Sequence, residues 1–516
     1  MSSPTKSRAA KWLGRFLFAL AILVTLIALL YAEENWRGER DWNTYKQQME
    51  AKGEKFDLAA FIPPRVPDEQ NFAMTPFLAP LFDFKPGTQE ARDTNAFQRV
   101  SNFAKSLPAG PDQTRWGWNN RAGKTDLAGW RAALQNTDSD KPFKVERHSD
   151  QERAEAAPAL LAALKPYEAV IEELRAASRR PYSHFNVNYA IENPVAIVLP
   201  HLPVLRRLAR ILELRASAEL ALGRTAEAFD DVGLMFHVAN SIQDEPILVS
   251  HLVRIVCLNL ATQVVWEGLA DHRWSNAQVQ ALQSRLQSQD FLADYTRAVE
   301  GERCAFGNAI FEFLIKSPNR GDFISAAGGG TPPTTSSFLV GMVPRGWWRF
   351  EQLSYHRILD DLFLPTINLA ARRVYPKQSE NHSLAFGESA IHRVKVIVNH
   401  RALSYLLCPA LNSCLKRFAN AQVVTDEATL ACALERCRLA DGKFPNTLDA
   451  LVPRSIAKLP HDIITGEPLK YRRDGDGYIL YSVGWNEKDD GGKPGTKSPP
   501  ATEDGDWVWQ SSAKTP

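Results

Sequence analysis

Residues 12–32 constrain this chain more than any other segment. They read WLGRFLFALAILVTLIALLYA, and from Phe16 to Ala32 they carry no charge. At ~1.5 Å of rise per residue, some 20 residues of helix cross the ~30 Å hydrocarbon layer of a bilayer. Trp12 and Tyr31 stand at the two ends, where amphipathic rings favour the headgroup region. Lys6, Arg8, Lys11 and Arg15 lie at the start of the run, and Glu33 and Glu34 follow it. The positive-inside rule then predicts a single-pass anchor in a bacterial inner membrane. Residues 1–11 are expected in the cytoplasm and the body in the periplasm or otherwise outside it. A cleaved signal peptide would need small residues before the cut. Here Leu30-Tyr31-Ala32 precedes Glu33, which favours an uncleaved signal anchor.

The chain has 516 residues, enough for more than one core. Lys and Arg number 61 against 59 Asp and Glu, with no clustered basic face, so nucleic acid is not an expected partner. The six cysteines are too few for a disulfide scaffold. Pairing of Cys408 or Cys414 with Cys432 or Cys437 is open, with free buried thiols as the alternative.

Hydrophobic spacing beyond the anchor predicts a mainly α protein with a multi-helix body. Residues 33–125 read as a polar stalk helix followed by a proline-rich irregular segment. Residues 126–418 read as the body. Helices are expected over 126–136, 151–178, 203–222, from Ala228, over 247–270, from a capping box at Ser275–Gln278, over 291–315, over 347–374 and over 386–418. The turn ALGRTAEAF at 221–229 resembles that of a tetratricopeptide repeat, but a single copy cannot stack, so an ordinary helical hairpin is expected. A Gly/Pro/Ser/Thr loop at 317–346 interrupts the body and suggests a covered groove.

No metalloprotease, nucleophile-elbow, phosphate-loop or dinucleotide motif is present. His201, His237 and His251 fall on neighbouring expected helices, where a meeting in space would suggest metal or acid/base chemistry and separation would mean packing. Asp230-Asp231 and Asp360-Asp361 point about 100° apart on a helix and read as solvated faces. Trp347-Trp348-Arg349-Phe350 reads as a loop anchor, or else as a sticky patch for a partner or apolar ligand.

Residues 419–516 form a distinct pattern. An Ala/Leu-rich helix ends at Asp441-Gly442, Leu448, Leu451 and Val452 mark a short second helix, and 470–473 with 478–483 suggest a hairpin. Trp507-Val508-Trp509 offers a third strand, completing a small α+β module with a short antiparallel sheet. The series D-G-K-F-P, L-x-x-L-V-P, L-P-x-D, T-G-x-P-L-K-Y and Y-I-L-Y-S-V-G, closed by an acidic Gly-rich loop, resembles the globular head of the type II secretion major pseudopilin over about 424–510. The resemblance implies a calcium site in that loop, with Asp489, Asp490, Asp504 and Asp506 at the matching positions. Calcium takes 6–8 oxygen ligands, which neighbouring carboxylates supply. An inserted GKPGTKSPPATE stretch lengthens the loop relative to the family. A prepilin processing site and the pseudopilin Glu are missing from the N-terminus, and the anchor lies far from the module. The resemblance therefore implies a borrowed head and not a filament subunit. The whole chain also resembles long, single-anchored bacterial proteins that carry this module, on EKFDLAAFIPPRVPDEQNFAMTP and HDIITGEPLKYRRDGDGYILYSVGWNEKDDGG. The function expected is a membrane-anchored extracytoplasmic scaffold with protein partners; an envelope hydrolase or an apolar-ligand binder using a groove near 317–350 is the alternative.

Overall fold

The structure is a computed structural model that describes residues 8–85, 88–108, 110, 123–135, 148–189, 191, 194–317, 342–385, 399–495 and 504–511. Most of the loop expected at 317–346 lies outside the described residues. So do 386–398.

Helix α1 runs unbroken through Arg8–Ala51, so anchor and stalk are one element. Residues 12–33 are exposed, and their apolar surface runs all round the helix. It is long and apolar enough to cross a membrane. The other helix that passes the same test by length, Leu248–Ala270, is largely buried in the body and is a core helix.

The first half of the body comprises α2 (Thr94–Phe103), α3 (Leu127–Gln135), α4 (Asp150–Leu164), α5 (Glu168–Ala177), α6 (His201–Ala221), α7 (Thr225–Asn240) and that core helix, α8 (Leu248–Ala270), which packs on α6 and α7. The expected 151–178 helix is two helices, because a 3-10 turn at Lys165–Tyr167 containing Pro166 separates α4 from α5. Gly223 takes φ +77 in the turn of the α6–α7 hairpin, a left-handed conformation that glycine adopts without strain. Helix α9 (Asn276–Gln287) opens on the expected capping box: Gln278 N donates to Ser275 Oγ and Ser275 N to Gln278 Oε1.

The helix expected over 291–315 is interrupted. Phe291–Glu302 (α10) and Ala309–Lys316 (α11) are joined by a π-helical stretch, Arg303–Asn308. The widened turn lets buried Arg303 reach Asp360 and Glu54, and puts Gly307 where a Cβ would lie 2.1 Å from the Tyr355 ring. The helix expected over 347–374 is also shorter. Helix α12 (Arg345–Ile358) passes into a second π stretch, Leu359–Phe363, and then a 3-10 turn around Pro365. It ends in a two-residue hairpin of β1 (Ile367–Asn368) and β2 (Arg373–Val374). Helix α13 spans Pro376–Ala385.

One helix, α14 (Ala402–Asp441), crosses position 418, where body was expected to give way to module. It ends at Gly442 with φ +75. Its continuity removes every expected cysteine pairing, because Cys408, Cys414, Cys432 and Cys437 all lie on it and even the nearest of those pairs, Cys414 and Cys432, is about 27 Å apart at ~1.5 Å per residue. Cys257, Cys432 and Cys437 are free thiols, and all three are buried, as is Cys414; burial pushes the Cys257 thiol up to about 12.

The module sheet has the order β3 (Lys470–Asp474), β4 (Gly477–Ser482), β5 (Trp507–Gln510), antiparallel throughout. Tyr478 and Leu480 face α14 and the main core, whereas Ile479, Tyr481 and Val508 make a separate cluster on the other face. The expected short second helix is a 3-10 turn, Leu448–Leu451. The body holds the module directly. Trp266 Nε1 on α8 donates to the Gln510 carbonyl at 2.8 Å, and Gln283 on α9 donates to the Ser455 carbonyl at 2.9 Å.

Candidate functional site

The acidic loop closes over the outer face of the sheet. Gly492 lies where a Cβ would stand 3.1 Å from Ile479, and the Tyr481 hydroxyl donates to Asp489 at 3.1 Å. Asp506 is the hub, 1% exposed. Its carboxylate accepts from Asp490 N at 3.1 Å and Gly492 N at 2.6 Å, while its own N–H donates to the Lys493 carbonyl. Asp489 also accepts from Gly491 N, and Asp490 accepts from Asn486 Nδ2. Gly495 packs so closely on Asp504 that a Cβ would meet its carbonyl at 1.8 Å. Asp504 Oδ1 is buried and without a hydrogen bond.

The fold thus brings all four expected aspartates to one loop junction. Burial raises the Asp506 pKa, with the two backbone donors opposing and the Asp490 and Asp489 charges adding. An orphaned oxygen beside crowded carboxylates is donor chemistry that suits a hard cation. Among the described residues, no three His, Cys, Asp or Glu side chains yet converge as a ligand set.

A second feature lies on the seam between body and module, and no sequence motif marks it. The end of α9, the start of α10, the β1–β2 turn, α14 and residues 456–461 enclose a cleft of about 240 Å³. Asp290 caps α10, accepting from Leu292 N and Ala293 N, and its Oδ2 takes Arg372 at 2.7 Å. Arg372 reaches it from the tip of the hairpin with φ +48, a strained conformation for a non-glycine residue. Asp426 on α14 accepts from Gln422 at 3.0 Å, and Gln422 accepts from Phe291 N. His461 donates to the Ala371 and Arg372 carbonyls, fixing the hairpin tip. Burial pushes Asp426 up to about 7, with Arg372 opposing and Asp290 and Asp462 adding. A carboxyl that gains and loses a proton near neutrality, beside a guanidinium, can bind an anion or exchange a proton.

The three histidines divide. His201 Nε2 lies 2.8 Å from Glu245, and His251 Nε2 lies 2.9 Å from the Glu245 carbonyl oxygen. His237 instead packs edge-on against Phe72 at 4.5 Å. Glu245 sits in the α7–α8 connection, where helical spacing gives no signal for it. His201 also stacks on Phe185 at 4.4 Å. This is a packed core pair and not a three-histidine site.

The aromatic run after the long loop is mainly internal. Trp348 is buried, Trp347 packs on His400, and Phe350 stacks on His400 with Arg37 over its other side. Asp231 is not a solvated acid as expected: it is buried between Arg175 and Arg215, because α7 packs that face inward. Asp360 likewise pairs with Arg303 and takes the Tyr45 hydroxyl.

The sequence matches no protein-family model, and no curated protein or solved structure is similar to it.

Proposed function

We propose that this protein is a membrane-anchored scaffold. In this reading residues 12–32 span a bacterial inner membrane with the N-terminus in the cytoplasm, and the extracytoplasmic body presents a pseudopilin-like module to protein partners. The observation that carries it is α14. One helix is both a core element of the body and the spine of the module, so a partner bound to the module acts on a body already fixed to the anchor. Leu439 and Val452, apolar and exposed by 42% and 40%, are the module positions at which partner contact is tested. Photo-crosslinking residues placed at 439 and 452 in the full chain, in its native membrane, should each trap the same discrete protein. Adducts indistinguishable from those of an exposed polar control position would sink the scaffold reading.

The acidic loop is read as a calcium site held by Asp489, Asp490, Asp504 and Asp506. The ion would neutralise the crowded carboxylates and cross-link the ends of the inserted stretch. Binding at 100 times Kd would add about 2.7 kcal/mol. Calcium should therefore raise the melting temperature of the full chain, and Asp504→Asn should reduce that gain. No shift between calcium and chelator removes the site.

A second reading, an envelope hydrolase, is favoured by the Asp426 cleft. It would use Asp426 as the proton donor and Arg372 to hold an anionic group. If Asp426→Asn leaves every hydrolytic activity of the purified chain intact, this reading fails.

A further inference from the structure

Helix α12 packs on α1 immediately beyond its apolar run. Tyr31 is the last aromatic residue of the apolar run, and its hydroxyl donates to the Met342 carbonyl. The first turn of α12 then lies backbone to backbone on the next turns of α1. A Cβ on Gly346 would stand 1.9 Å from the Glu34 carbonyl oxygen, and one on Gly38 2.5 Å from the Gly346 carbonyl oxygen. Gly346 N donates to Asn35 Oδ1 at 2.7 Å. Only glycine permits this approach on both sides, so the height of α12 along α1 is fixed.

Residues 34–38 lie roughly 5–10 Å beyond Tyr31 along the axis at ~1.5 Å per residue. The headgroup layer adds about 5–8 Å on each side of the hydrocarbon, and helix tilt only lowers a residue's height. Met342 and the start of α12 therefore fall within or at the edge of that layer. The side chains there match it. Met342 is 45% exposed and Trp36 is 63% exposed, with Arg40 over its ring at 5.3 Å. Arg345 is exposed, and among the described residues no carboxylate pairs with it. Exposed apolar side chains scattered singly are ordinary on a protein surface. Met342, Trp36 and Arg345 lie together beside the end of the apolar run, a grouping of apolar, aromatic and cationic side chains that suits an interfacial contact, with the exposed Glu33 and Glu39 carboxylates at the same level.

We propose that Met342, Arg345 and Trp36 form a second membrane contact, seated in the phospholipid headgroups next to the anchor, so that the body rests on the bilayer surface. This inference depends on the reading of residues 12–32 as a span. The test places a nitroxide side chain at position 342, 23 or 439 of the full chain in phosphatidylcholine–phosphatidylglycerol nanodiscs. Accessibility to oxygen, which partitions into lipid, is compared with accessibility to a water-soluble nickel chelate. The oxygen-to-nickel ratio at 342 should exceed that at 439 severalfold and fall below that at 23. Arg345→Glu should lower the ratio at 342 toward the value at 439. If 342 behaves like 439 while 23 remains lipid-exposed, the anchor stands and the surface contact is overturned. If 23 also reports water, the spanning segment itself is wrong and the inference falls with it.

Discussion

Two buried glutamates, Glu267 in the body and Glu427 in the module, sit on long core helices and meet opposite environments. Glu267 on α8 is 1% exposed and completely partnered. Arg153 lies 2.6 Å away, and the Thr125 amide and hydroxyl and the Gln263 amide all donate to it. Burial alone would raise its pKa, but Arg153 and these donors outweigh burial and hold it below the ordinary value. Glu427 on α14 is 0% exposed, and no well-formed hydrogen bond reaches either carboxyl oxygen, although the nearby Ser482 N–H opposes the upward shift of its pKa. Burial, followed by the charges of Asp462 and Asp426, pushes its pKa well above the carboxylate range. At these two positions the body buries its charge in a finished pair, whereas the module buries an acid without a matching cation. A buried pair is often no better than an apolar substitute, yet removing one partner is costly. An unpaired buried acid stays neutral and leaves the site open to protons or metal.

The largest expected effect comes from breaking the finished pair. Arg153→Met should destabilise the body by about 3–5 kcal/mol by leaving Glu267 unpaired. Urea unfolding in detergent checks this, and Arg153→Met with Glu267→Met should recover most of the loss. A small loss in the single variant would erase the contrast between the two regions.

Glu427→Gln should do the reverse and stabilise the module by about 1–3 kcal/mol at pH 8. The direction follows from the raised pKa. A protonated Glu427 contributes its stability in full below the unfolded value near 4.3 and loses it as the pH rises toward the folded value. The gain from Gln should therefore grow from pH 4 to pH 8 in thermal melts. A gain independent of pH would mean that charge is not the cause.

Asp426, with its pKa at about 7, makes the same prediction over a bounded window. Stability should fall as the pH rises from about 4 to about 7 and then level off, and Asp426→Asn should flatten that slope. Infrared difference spectra of the carboxyl band can locate the midpoint. The smallest effect belongs to Arg372→Gly. The exposed Asp290 pair is worth about 0–1 kcal/mol, and glycine relieves the left-handed φ. Stability should hardly change, while the Asp426 midpoint should rise as the opposing cation is lost. An unchanged midpoint would detach Arg372 from the cleft.

Much of the fold was legible because it rests on local chemistry. The capping box at Ser275, the Gly442 stop and the Asp474–Gly477 turn each depend on a few adjacent residues. The interruptions were not legible. The π stretch at Arg303–Asn308 exists because Arg303 reaches Glu54 and Asp360, which are 249 and 57 positions away. The four loop aspartates could be named only through the resemblance of this segment to the pseudopilin head. The cleft could not, since Asp290, Arg372, Asp426 and His461 come from four segments with no shared spacing. Glu245 was missed for the same reason.

By itself the sequence determined an apolar helix of bilayer length, a mainly helical body and a three-stranded module with an acidic loop. Periodicity, end signals and turn residues act over a few positions, and they suffice for elements. Only the tertiary structure decided that α14 joins body and module, that Glu267 is paired with a cation while Glu427 is not, and that α12 lies beside the end of the apolar run of α1. Those outcomes depend on which distant side chains burial brings together, and burial is a property of the whole packed chain.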